Sequence, residues 1–137
     1  MTDVRTWTTV GAADFVSLTT FRRSGAPVAT PVWVAPDADG SLLVTTPSGS
    51  GKVKRLRRDP RVEMRPCSRR GRVEPDAPVA TGRAQLVEDD AGVGHAHDVL
   101  RAEYGFQFRL VMGIERVMRR GHTDRVVLRI TPGDTTP

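Results

Sequence analysis

Six short runs of apolar and β-branched residues, each closed by glycine, proline or an acidic turn, leave this chain few ways to fold. Runs of this length are strands, and the short turns between the early ones favour antiparallel neighbours. Phe15 to Thr20 ("FVSLTT") is the first, and Ser24-Gly25 turns the chain after it. Val28 to Val34 ("VATPVWV") is the second; Pro31 inside it cannot donate to a ladder, which predicts an edge strand or a bulge. Asp39-Gly40 makes the next turn, and "LLVTT" from Leu42 completes an expected three-stranded meander. Arg61 to Cys67 alternates as a fourth strand. Val79 to Val87 is a fifth, with Gly82 read as a bulge, and Arg125 to Thr131 a sixth.

Helical spacing occurs in three places. Val53 and Leu56 are three apart in "GKVKRLRR", and Pro60 stops that helix, giving Gly51 to Arg58. Asp89 and Asp90 read as the start of a second helix carrying Val99 and Leu100. Leu110, Ile114, Val117 and Met118 make a helical face within Phe106 to Arg120. The expected fold is therefore α+β: a six-stranded antiparallel barrel with helices at one end, as one domain over residues 1–137.

Composition limits the function classes. With 38% apolar and 27% charged residues the chain reads as soluble and globular. It has no apolar run of the roughly 18 residues needed to span a bilayer, and "MTDVRTWTTV" lacks the pattern of a signal peptide, so no membrane association is expected. Cys67 is the sole cysteine, which excludes an intrachain disulfide or a multi-cysteine zinc site and favours a reducing cytoplasm. The net charge is +5, and all but two of the 21 basic residues are Arg, a bias expected of a GC-rich genome. A basic surface favours anionic ligands.

The stretch "TTPSGSGKVKRLRRDPRV" gathers the chemistry. Gly49-Ser50-Gly51 can turn backbone N–H groups toward a ligand, and the helix that follows adds its positive end. Ser50 offers a hydroxyl and Lys52 a cation, a set suited to phosphate. The order of a nucleotide-binding P-loop is absent. On these residues alone, a turn followed by a solvated basic helix fits as well.

The stretch resembles the cradle of the flavin-binding split barrels, the pyridoxamine-phosphate-oxidase superfamily. The matching positions are Thr46, Ser50, Lys52, Asp59, Pro60 and Val62, and "GAPVATPVWV" resembles the family's Gly-x-Pro turn and Pro-Val-Trp strand end. The likeness runs over about residues 13 to 131. It implies a split-barrel homodimer with the cofactor at the subunit seam. It implies hydroxyls and a cation on the cofactor phosphate, and Thr30, Pro31, Val32 and Trp33 along the ring. Gly51 stands where flavin-using members commonly have Arg. That departure, with "TPVW" before it, is closer to the actinobacterial branch that uses the deazaflavin coenzyme F420. The long anionic tail of that coenzyme would pair with Lys54, Arg55 and Arg58. The implied activity is hydride transfer between reduced F420 and a small organic substrate, with no identified acid or base. The alternatives are flavin mononucleotide (FMN) in the same site, a non-catalytic F420 carrier, and a nucleic-acid module using "KVKRLRR" and "SRRGR". The last is disfavoured because only 5% of residues are aromatic and none interleaves with the basic runs.

His95 and His97 are two apart, so a helix points them to different faces and metal ligation is not expected. His122, after Gly121, reads as a helix-end residue, and Cys67 as a small buried apolar group.

Overall fold

The computed structural model describes residues 3–104 and 125–133. Their elements, in chain order, are α1 (Val4–Gly11), β1 (Phe15–Phe21), β2 (Pro27–Trp33), β3 (Ala35–Pro36), β4 (Leu42–Pro47), α2 (Gly51–Arg58), β5 (Arg61–Cys67), β6 (Ala80–Val87), α3 (Asp90–Tyr104) and β7 (Arg125–Pro132). Among the described residues the strands form one antiparallel sheet in the order β2-β1-β5-β6-β7-β4-β3, curled into a half-barrel. The helix expected over Phe106 to Arg120, and His122, lie outside the described residues.

The sheet has seven strands where six were expected, and the extra one explains the curl. Trp33 is the last residue of β2 and pairs with Phe15, the first of β1. Beyond it β1 offers no partner. Val34, fully buried, turns the chain, and Ala35 and Pro36 pair with Leu43 and Leu42 of β4 instead. One extended run thus touches both ends of the sheet. The expected meander is corrected by the same fact: β4 pairs along its length with β7, not with β2. Below Val34 the two strands diverge, and the barrel is split between them. Pro31 is tolerated because β2 is an edge.

Register separates the faces. Val16 and Leu18 of β1, Val62 and Met64 of β5, Leu128 and Ile130 of β7, and Leu42 and Val44 of β4 point into one buried core. Two helices close it. Val53 and Leu56 of α2 are buried, as their spacing predicted. The other closing helix, α1, was not expected. Asp3 caps it, accepting from the Thr6 N–H at 2.7 Å. Trp7 and Val10 join the core, and the Trp7 indole N–H donates to the Gly40 carbonyl at 2.8 Å. Gly82 is not a bulge, since its register with Val62 and Pro132 is continuous. Glycine is required there because a Cβ would lie 2.7 Å from the Thr131 carbonyl oxygen. Gly25 and Gly40 do have positive φ, 92° and 88°, in the two turns read from the sequence.

The third helix, α3, covers the outer face of β4 and β7 through Ala96, Val93 and Val99. Asp89 caps it, accepting from the Gly92 N–H at 2.8 Å, so the two acids do start the helix as expected. Among the described residues no helix is long and apolar enough to cross a membrane.

Candidate functional site

The end of β4, the Pro47–Ser50 turn and the start of α2 make one concave corner beside the split. Thr46 is buried, and its hydroxyl lies 3.4 Å from that of Ser50. Ser50 is the N-cap residue of α2 but makes no side-chain cap bond. A capping serine ordinarily accepts from an N–H two or three residues on. Here the hydroxyl is turned to Thr46, and no side-chain oxygen of Ser50 occupies the first-turn N–H groups. Lys52 is half-buried on that first turn. Thr46 and Ser50 are thus brought together, and Gly51 and Lys52 follow on the first turn of α2.

Gly51 has a packing reason. A Cβ there would lie 2.7 Å from Nη1 of Arg55. The Arg55 guanidinium fills the space a side chain at 51 would take, and its Nε donates to Thr20 Oγ1 at 2.6 Å. Arg58, one turn on, donates to the Phe21 carbonyl at 3.0 Å. Burial lowers the pKa of Arg55 from the ordinary arginine value, and the nearby charges of Arg22 and Arg58 lower it further. Three cations therefore converge at the end of β1. Thr20 and Arg22 were not read from the sequence. The signal was the spacing of positions 51, 55 and 58, which share one helical face, together with the arginines that follow strand one.

Two residues of the basic helix stand apart. Lys54 is exposed, one turn after Ser50. Arg57 is exposed and donates to Glu88, as an outward position should.

The four β2 residues do not share a face. Thr30 pairs with Leu18 and Val32 with Val16, so both point inward; Pro31 and Trp33 pair with Ser17 and Phe15 and point outward. Trp33 packs on Leu100 of α3, and its ring centroid is 6.2 Å from that of Phe15. The Thr30 Oγ1 is buried with no hydrogen-bond partner among the described residues. An unmet buried hydroxyl costs about 1–3 kcal/mol.

The histidines have structural partners. His95 Nε2 lies 3.0 Å from Asp37 Oδ2, and His97 Nε2 is 3.3 Å from Thr45 Oγ1, tying α3 to the β3–β4 turn and to β4. Cys67 is half-buried rather than buried, and burial pushes its thiol pKa up.

Residues 6–136 match the family described as pyridoxamine 5'-phosphate oxidase. The chain belongs to that family. Several solved structures share the fold of this oxidase-family chain. A conserved hypothetical protein of Mycobacterium tuberculosis is 23% identical, with a TM-score of 0.67 over 98% of this chain and 82% of its own. A protein described as an F420 reductase is 20% identical, with a TM-score of 0.56 over 92% of each chain. A FAD-binding protein of Mesorhizobium loti is 18% identical, with a TM-score of 0.61 over 96% of this chain and 91% of its own. No curated protein matches the sequence.

Proposed function

We propose that this oxidase-family chain binds the deazaflavin coenzyme F420 and uses it as an oxidoreductase on a small organic substrate. The observation that carries this reading is the corner at the start of α2, where paired hydroxyls, an uncapped helix start and Lys52 meet three convergent arginines. These residues fit a phosphate-bearing planar cofactor. Thr46, Ser50, Lys52 and the first-turn N–H groups would hold the phosphate. Arg55 and Arg22 make no ion pair with a carboxylate among the described residues and, with Arg58, would meet further negative charge. Edge-facing backbone of β2 near Pro31 and the orphaned Thr30 hydroxyl would meet polar atoms of the ring.

When bound, the ring supplies hydride transfer; the protein's part is to bind, orient and exclude water. F420 is favoured over FMN by Gly51. Arginine at 51 would compete with Arg55 for one space, and this chain keeps the cation that lies against β1. The likeness in fold to an F420 reductase is compatible with this choice. Parallel fluorescence titrations at fixed salt are expected to give tighter binding for F420 than for FMN. The reverse order would make the protein an FMN binder. If F420 binds but no acceptor is ever reduced, a carrier function replaces the oxidoreductase.

The open edge of β2 and the split beside it also support a homodimer in which a second copy completes the cofactor site. Light scattering is expected to give twice the chain mass. A monomer binding F420 at full affinity would overturn the dimer.

A further inference from the structure

A groove of about 400 Å³ opens at the far rim of the sheet, where β1 ends and β5 begins. It is distant from the Thr46–Ser50 end of the α2 corner, while Phe21, on its wall, also accepts from Arg58. Thr46 pairs with Val126 and Arg83 with Thr131, positions five residues apart on β7, or roughly 17 Å along the strand. Its walls come from outward-facing positions of β5 and β6. In register, Arg61 stands directly opposite Arg83, and Glu63 opposite Thr81.

Like charges directly opposite across a ladder are destabilising. Only one of the two is compensated. Asp59 grips the Arg61 guanidinium with both carboxylate oxygens at 2.8–3.2 Å, and Arg61 also lies over the Phe21 ring, 4.9 Å from its centroid. That holds Arg61 in one orientation. Arg83 is exposed, and its side chain makes no hydrogen bond or ion pair among the described residues. The floor is bare backbone: a Cβ on Gly133 would lie 3.2 Å from Gly82 Cα, and the Gly133 N–H donates to the Thr81 carbonyl at 2.9 Å. Phe21 and Val62 add apolar lining.

We propose that this groove binds a small organic monocarboxylate, its carboxylate held by Arg83 beside the fixed Arg61 and its apolar body against Phe21. The volume suits a small ligand. A bound carboxylate supplies the counter-charge that Arg83 lacks. Glu63 sets the charge limit. One negative charge between two arginines is favourable, but a dianion such as phosphate meets the Glu63 carboxylate. The groove is separate from the Thr46–Ser50 phosphate cradle.

Benzoate is the probe, followed by amide chemical shifts in the intact protein. Saturable shifts at Thr81, Gly82 and Arg83 are expected, with inorganic phosphate binding more weakly. Arg83→Gln should weaken benzoate by roughly tenfold or more. It should unfold at the same or a higher temperature, because it relieves like-charge repulsion. Glu63→Gln should narrow the gap between benzoate and phosphate. Arg57→Ala, an arginine elsewhere on the surface, should leave benzoate binding unchanged. Absence of saturable benzoate binding overturns the proposal. So does wild-type binding by Arg83→Gln, equal losses in Arg57→Ala and Arg83→Gln, or a loss that accompanies a lowered melting temperature.

Discussion

Lys52→Ala is expected to weaken F420 binding by roughly ten- to a hundredfold, while Arg57→Ala changes it little. A charge-assisted hydrogen bond to a partly desolvated phosphate contributes about 1.5–3 kcal/mol, which is that range of affinity. Lys52 sits half-buried on the first turn of α2, two residues after Ser50, whose hydroxyl meets that of Thr46. Arg57 is on the same helix, but its exposed ion pair with Glu88 contributes at most about 1 kcal/mol and faces away. The comparison separates a built cradle from a generally basic surface. Run on an oligonucleotide instead, a diffuse phosphate contact would give two similar losses and similar decreases in salt slope. Equal, small effects of the two substitutions on F420 would remove the cradle reading altogether.

Trp7→Ala is expected to destabilise the fold by about 3–5 kcal/mol, a large share of the stability of a domain this size. The ring is buried to 8% exposure in the main core, and its N–H ties α1 to the β3–β4 turn at Gly40. Trp7→Phe separates the two contributions. It keeps most of the apolar burial and loses the hydrogen bond, for about 1 kcal/mol. Urea unfolding of both variants measures the difference. If Trp7→Ala unfolds within experimental error of the unsubstituted protein, α1 is not part of the cooperative core.

Most strands were legible because they are local events. Alternation in "RVEMRPC", the proline within "VATPVWV" and the glycines at 25 and 40 each act within a few residues, and all were matched within a residue or two. Helix α2 was legible for the same reason: Val53, Leu56 and Pro60 define it without reference to the rest of the chain. Its family resemblance was also local, since hydroxyls, glycines and a lysine at fixed spacing can be compared residue by residue.

What tertiary structure decided involves partners far apart in the chain. Val34 turns inward because β1 has no partner beyond Phe15, and that single turn splits the barrel and creates β3. Gly82 is demanded by the Thr131 carbonyl, 49 positions away, not by a bulge in its own strand. The N-terminal helix is only eight residues long, and it gains its reason to exist only when Trp7 meets the barrel core and Gly40. The basic helix shows the division most directly. Sequence alone put six basic residues in one stretch, with Lys52 read as a phosphate cation and Lys54, Arg55 and Arg58 as partners for an anionic tail, but without their contacts. Packing then sorted them: Arg55 under Gly51 against Thr20, Arg57 outward to Glu88, Arg58 to Phe21 and Arg61 to Asp59. Charge is a property of each residue by itself, whereas counter-charge and burial are properties of whichever neighbours the fold brings within reach.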